Sequence, residues 1–484
     1  MLGVLLAVLL ALVVALRYAE PILDGDLFFH LAYARQMLER GTLVPDATLY
    51  SWTPTSDATI YCAWASELVL AGLWRLGGLP ALFALRYAVV GGTLLLLWLY
   101  ARRLGLVAGG ALGTAVTCLV LLVVAVGERA GSLVKPELFS LLFLHLVLYA
   151  YFGAKRGAAR PRAGELSLGC VPVIVLVWVN SHGGFILLAP FLVLSAVGEL
   201  LNRRFSPDLA LPRPVLRRLL GAWGLCGLAV VATPYGLRYP LQLVDEYLLV
   251  RTPRPDMAWN SAYQAVLAWP SLAAEYLPPL LLLAFVLAAL LAFQAGLGAP
   301  GGRVDWAVVL VNAAYVPLYL LYVRSTQWAP VVFGWSAFYL LARIRDGGLA
   351  ARLPVRFAAR AGALLAGLAV LAAVGLGART VRTAWVTPST GSWPGFGIGY
   401  INPVAEAEYL ASLELPQGTR LYNIFDSGSY LLWRLHPRYR VMTDSRSFPY
   451  LGWFEDQYRF ALGESFDEFL ARYPADIAVI DHLK

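Results

Sequence analysis

Asp24-Gly25-Asp26-Leu27-Phe28-Phe29-His30 brings two carboxylates and an imidazole close together along the chain. Asp26 and His30 are four apart, so on a helix they share a face. Such a set can hold a divalent cation, Mg or Mn, between Asp24 and Asp26, or supply a general base. The same residues also fit plainer roles, Asp26 as a helix N-cap and His30 as a side chain at the level of lipid headgroups. Lys135-Pro136-Glu137 offers an ammonium to a phosphate, or a simple Lys135–Glu137 pair. Trp178-Val179-Asn180-Ser181-His182-Gly183-Gly184 sets Asn180 and His182 in a tight turn that either lines a cavity or is merely satisfied in itself. Arg324 stands alone between two apolar runs, where a guanidinium suits a phosphate; Arg251 and Arg254 are weaker candidates. Glu67 faces either a cavity or the headgroups. Asp426, Asp444 and Arg446 fall after expected strands, where α/β sheets bind ligands, or else they form a structural salt-bridge network.

The elements that must position these residues are mostly apolar. Hydrophobic residues make up 59% of the 484, charged residues 14%, and the mean hydropathy is +0.66. A soluble chain carries about a quarter charged residues, so lipid must cover much of this one. About eleven apolar runs, from Leu2–Tyr18 to Ala361–Leu376, read as membrane spans. They include Leu82–Ala101, Val107–Val126, Leu133–Phe152, Leu166–Asn180, Gly183–Leu200 and Tyr276–Ala295. Trp64–Leu76 is too short to span and reads as an interfacial helix. With that assignment the basic groups around Arg102, Lys155, Arg203 and Arg343 fall on one side, as the positive-inside rule requires. The net charge of +8 is thus explained without nucleic acid as a partner. The four cysteines match neither a zinc site nor a disulfide framework.

The loop 19–63 then lies on the opposite side. Within it, Leu27–Arg40 has helical periodicity ending at Gly41 and reads as an amphipathic helix on the membrane surface. After Leu376 the pattern changes. Expected strands at Arg420–Phe425, Arg440–Thr443 and Asp476–Ile480 alternate with helices at Tyr430–Leu435 and Phe466–Tyr473, the signature of a small parallel α/β domain. The expected fold is therefore an all-α polytopic domain over 1–378, with loop 19–63 and interfacial helix 64–76, followed by a soluble α/β domain over 379–484.

The chain resembles the GT-C superfamily of membrane glycosyltransferases, most closely its large, poorly characterised bacterial group. The matching segments are Asp24–Leu31, Pro45–Thr53, Trp64–Gly78, Lys135–Ser140, Trp178–Gly184, Thr233–Gly236, Arg324-Ser325 and Tyr422–Arg446. The resemblance implies a catalytic acid in the first outer loop, at Asp24 or Asp26, and a polyprenyl-phosphate-linked sugar as donor. His30 would support the acids; Lys135, Arg324 and His182 would hold the donor phosphate. Glu67, Asn180, Asp444 and Arg446 would bind the acceptor or support the site. Two features depart from the pattern: Lys135 stands where the group often has arginine, and no W-W-D-type peptide motif is present. The expectation is a glycosyltransferase of the bacterial inner (plasma) membrane, its C-terminal domain extracytoplasmic and its acceptor unknown. The alternatives are a transporter or flippase of polyprenyl-linked glycans, or a non-catalytic scaffold on the same fold.

Overall fold

The computed structural model describes residues 2–57, 60–107, 110–128, 130–156, 166–244, 265–271, 304–346, 386–391, 393–446, 448–450, 453 and 465–480, with scattered helical positions at 273–291 and 360–382. The expected spans Tyr276–Ala295 and Ala361–Leu376 lie largely outside these residues, and Arg251 and Arg254 entirely so. The N-terminal part is helical: α1 (Leu2–Arg17), α2 (Asp26–Arg40), α3 (Trp64–Arg103), α4 (Gly110–Gly127), α5 (Glu137–Lys155), α6 (Val171–Val179), α7 (Ala189–Phe205), α8 (Arg213–Ala229), α9 (Arg238–Val244), α10 (Trp306–Leu321) and α11 (Trp328–Asp346).

Among the described residues, three stretches are long and apolar enough to cross a bilayer: α3, α5, and 183–205, where the 3-10 turn Gly183–Leu188 runs into α7. Shorter apolar helices accompany them, within α1, α4, α6 and α10. The chain is a membrane protein, but among the described residues three such stretches are found, short of the expected count of about eleven. The run Leu166–Asn180, for example, divides into a 3-10 turn at Leu168–Cys170 and the short α6, with Pro172 in its first turn. That leaves less helix than a bilayer crossing needs.

α3 is two helices joined at a kink. Gly78 takes φ 58°, ψ −142°, a conformation that only glycine adopts without strain, and Pro80 follows it. The first arm, 64–77, matches the expected short helix; the second matches the expected span that follows.

Charges hold the far end of the bundle. Lys155 was expected in a basic loop, yet its side chain is fully buried, 2.6 Å from Glu199 of α7 and 2.7 Å from Asp305, which caps α10. Tyr151 bonds Glu199, and Asn202 and Tyr339 bond Asp305. The triad ties α5, α7, α10 and α11 together. Arg102 and Arg103 of α3, Arg203 and Arg204 of α7, and Arg343 and Arg345 of α11 lie in the last turns of their helices. Arg103 bonds Tyr149 and Arg345 bonds the Leu104 carbonyl, so the basic helix ends collect at the Lys155 end of α5.

The C-terminal part contains α12 (Val404–Ser412), β1 (Thr419–Asn423), α13 (Phe425–Leu435), β2 (Tyr439–Val441), α14 (Phe466–Arg472) and β3 (Ile477–Val479). The sheet is parallel in the order β2-β1-β3, with Arg420 opposite Arg440 and Tyr422 opposite Ala478. The expected turn at 426–429 is instead the first part of α13.

This small sheet is stitched to the loop after α1. Trp52 N–H bonds Val441 O, and Val441 N–H bonds Tyr50 O, so the loop pairs along the edge of β2. Ile22 bridges Ile398 through bonds to Gly397 and Gly399. α2 ends at Gly41 as expected, in the left-handed region. Most of its apolar face meets protein rather than lipid, however. Leu27 to Ala34, Gln36 and Met37 are buried, and Phe28 packs on Tyr430 and Trp433 of α13 at 4.6 and 5.2 Å. The apolar stripe that looked suited to lipid is covered by the C-terminal domain and by the first arm of α3.

Replacing Lys155 by Met leaves two buried carboxylates facing each other without a cation. A loss of about 3–5 kcal/mol is expected, read as a lower melting temperature in detergent; an unchanged melting temperature contradicts the triad's role.

Candidate functional site

The site begins where α1 hands over to α2. The Asp24 carboxylate accepts the Asp26 N–H at 2.9 Å, a turn that starts α2 and fixes both side chains. Gly25 lies against the C-terminal domain: a Cβ there would sit 3.0 Å from the Asp426 carbonyl. Asn402 bonds the Ile22 carbonyl and holds the approach from the other side.

Lys135 arrives from the segment before α5. That segment is pinned to the end of α1: Tyr18 bonds Glu128, Glu128 accepts the Gly131 N–H, and Arg17 bonds Ser132. The Lys135 ammonium lies 2.5 Å from Asp24 and 2.7 Å from Asp26, with Glu137 at 3.8 Å. Its side chain is 12% exposed, while those of Asp24 and Asp26 keep 32% and 25%, so a substrate hydroxyl can reach the acids. Burial opposes the ammonium, but Asp24, Asp26 and Glu137 outweigh it and hold its pKa well above the ordinary lysine value. Burial, then the neighbouring Asp26, raises the pKa of Asp24 against the pull of Lys135.

Beyond Glu137 comes His182. The backbone N–H of Gly184 donates to His182 Nδ1 at 3.1 Å, and Ser140 Oγ lies 2.7 Å from the same nitrogen. A backbone N–H can only donate, so Nδ1 is the bare nitrogen and the ring proton sits on Nε2. Nε2 faces Glu137 at 3.6 Å. Trp178 in turn donates to Ser140 at 2.7 Å. His182 therefore sits beside a carboxylate within a neutral relay, a poorer setting for a phosphate than the sequence suggested.

His30 also differs from expectation. It pairs with Glu67 at 2.8 Å, both side chains 1% exposed, and not with Asp24 or Asp26. Glu67 faces neither headgroups nor an open cavity. Asn180 is consumed structurally: it accepts from Trp64 Nε1 at 2.7 Å and donates to the Leu176 and Ala232 carbonyls. Arg324 belongs to the 3-10 turn Val323–Ser325, and its side chain lies outside the described residues.

Asp444 and Arg446 form a closed clamp. Arg446 makes a bidentate pair with Asp444, 2.7 Å on each arm, and its remaining donors reach the Tyr33 hydroxyl at 2.9 Å and the Ala47 carbonyl at 2.8 Å. Tyr450 bonds the same carboxylate at 2.5 Å. Every polar arm is used within the protein, so the pair supports α2 rather than offering itself to an acceptor.

Tyr61 and Ser140 were not singled out from the sequence. Tyr61 stacks on Phe448 at 5.3 Å and meets the rings of His30 and Phe29 at 5.6 and 6.1 Å. Burial, then Glu137, Glu67 and Asp26, pushes its hydroxyl pKa well up, so it stays a neutral donor. An aromatic residue before a short helix gives no sign of that placement.

The arrangement is an accessible carboxylate pair anchored by one largely buried ammonium, at the junction of a helical bundle and an α/β domain. No protein-family model and no curated protein sequence matches the chain. The Archaeoglobus fulgidus oligosaccharyltransferase in its apo form matches with a TM-score of 0.53 at 12% identity, over 91% of this chain and 64% of that one. The oligosaccharyltransferase AglB of the same organism, in complex with an inhibitory peptide and a dolichol-phosphate, matches with a TM-score of 0.54 at 12% identity, over 92% and 64%. The chain shares the fold of these two oligosaccharyltransferase structures. The chain spans about 64% of the length of these oligosaccharyltransferases. ArnT from Cupriavidus metallidurans, bound to undecaprenyl phosphate, aligns over 97% of this chain and 94% of that one at 14% identity, with a TM-score of 0.44, below the level at which a shared fold follows.

Arg446→Met strands the buried Asp444 carboxylate. It should cost about 3–5 kcal/mol and speed amide exchange across 26–40; exchange as slow as in the unaltered protein contradicts the clamp.

Proposed function

We propose that this chain is an inverting glycosyltransferase of the bacterial poorly characterised GT-C group. It moves a sugar from a polyprenyl-phosphate-linked donor to an acceptor hydroxyl. The observation that carries this reading is the meeting of Asp24, Asp26 and Lys135 in one accessible cluster, on a fold shared with a transferase whose complex holds a dolichol-phosphate. Asp24 takes the proton from the acceptor hydroxyl. The acceptor oxygen bonds the anomeric carbon as the bond from that carbon to the phosphate oxygen breaks, and the lipid phosphate leaves with the electron pair. A carboxylate with a raised pKa is the better base near neutral pH, which suits Asp24 to the role. Asp26 and Lys135 hold Asp24 in place. Three carboxylates face one ammonium here, so the departing phosphate needs further cations, and Arg324 is the residue the sequence offers.

The orientation follows from charge. The basic helix ends gather at the Lys155 end of α5, while Glu137 and the site stand at its other end. With basic ends cytoplasmic, the site and the α/β domain face outward from the inner membrane.

Purified protein given a polyprenyl-phosphate sugar should release lipid phosphate, and Asp24→Asn should lower that rate by about 10²–10⁴-fold. Full turnover in Asp24→Asn rejects Asp24 as the base. Because the base must be ionised, the rate should fall as pH drops through the raised Asp24 pKa, giving an acid limb above the usual aspartate range. A rate that holds down to ordinary carboxylate pH contradicts the assignment.

A further inference from the structure

We infer that Lys135 is the resident cation of the carboxylate site, standing where a divalent ion would otherwise join Asp24 and Asp26. Its ammonium is 2.5 Å from Asp24 Oδ2 and 2.7 Å from Asp26 Oδ2. A magnesium or manganese ion bridging the same two oxygens would need about 2.0–2.2 Å to each. The two cations compete for one position and cannot share it.

The lysine is built into that place. The backbone of Lys135 accepts the Leu138 N–H in the first turn of α5, and the loop before it is tied down by Tyr18, Arg17 and Glu128. Asp24, Asp26 and Glu137 raise its pKa and so favour the charged ammonium. Among the described residues the surroundings offer an ion no second position beside the lysine. Among the described residues no three His, Cys, Asp or Glu side chains are arranged to hold an ion. His30, the nearest imidazole in sequence, is spent on Glu67, and His182 turns its bare nitrogen to Gly184 and Ser140. Two ammonium N–H groups go to the aspartates, and Glu137 at 3.8 Å is beyond hydrogen-bond reach, so one N–H remains for a substrate oxygen.

The inference rests on the proposed function only for its consequence in turnover, since cation binding is measured without donor or acceptor. Equilibrium dialysis of the full-length protein in detergent against Mn²⁺ separates the two. Unaltered protein and the double variant Asp24→Asn/Asp26→Asn are expected to bind equal amounts of Mn²⁺. Lys135→Met is expected to bind one ion more per chain, and Lys135→Met with Asp24→Asn to lose it. Lys135→Arg, which keeps the charge, should match the unaltered protein. One extra ion in the unaltered protein relative to the double variant overturns the inference, as does the absence of any gain in Lys135→Met. If Lys135→Met does not fold, the comparison of unaltered protein with the double variant still decides. Where turnover is observed, EDTA should leave it unchanged; a tenfold loss restored by Mn²⁺ also overturns the inference.

Discussion

A buried ammonium pressed against two carboxylates organises this molecule. Burying a charge is costly unless it is paired and hydrogen-bonded, so Lys135 is compatible with the fold only where Asp24 and Asp26 reach it. That requirement sets the paths of the segments on either side. The chain leaving α1 must turn so that both aspartates point the same way, and the chain entering α5 must stop short of helix at Pro136. Gly25 lets the turn lie against the C-terminal domain.

The C-terminal domain acts as a brace. It borrows the loop at 50–52 as an extra edge beside β2, covers the apolar face of α2, and locks Arg446 under that helix. The bundle and the α/β domain share one apolar core, which joins α2 to α13 and β2. At the opposite end of α5, the Lys155 triad performs a similar task without exposure to solvent. Two buried lysines thus anchor the two ends of one helix, one accessible to a ligand and one sealed.

The local features of the fold were legible in the sequence. Period and punctuation located α2 and its glycine stop, the break between the arms of α3, and the parallel α/β domain. The Asp24, Asp26 and Lys135 segments were also recognisable as chemically unusual. Their partners were not. Glu67 is far along the chain from His30, and only packing reveals that the imidazole is taken up there. For Lys135 the sequence offers a phosphate or the nearby Glu137 as partner, whereas Asp24 and Asp26, over a hundred residues away, are brought to it only by packing. Lys155 was counted as a loop charge for the same reason, its partners Glu199 and Asp305 being distant in sequence. The stripe on α2 has the same pattern whether lipid or protein covers it.

The proposed reaction centre depends on the coupling between Lys135 and Asp24, and a double-mutant cycle on Asp24→Asn and Lys135→Met measures it directly from unfolding free energies. Touching, partly buried partners should show an interaction energy of about 1–3 kcal/mol. Additive effects, with no interaction energy beyond error, would mean that the two side chains do not meet, and the proposed reaction centre would have no anchor.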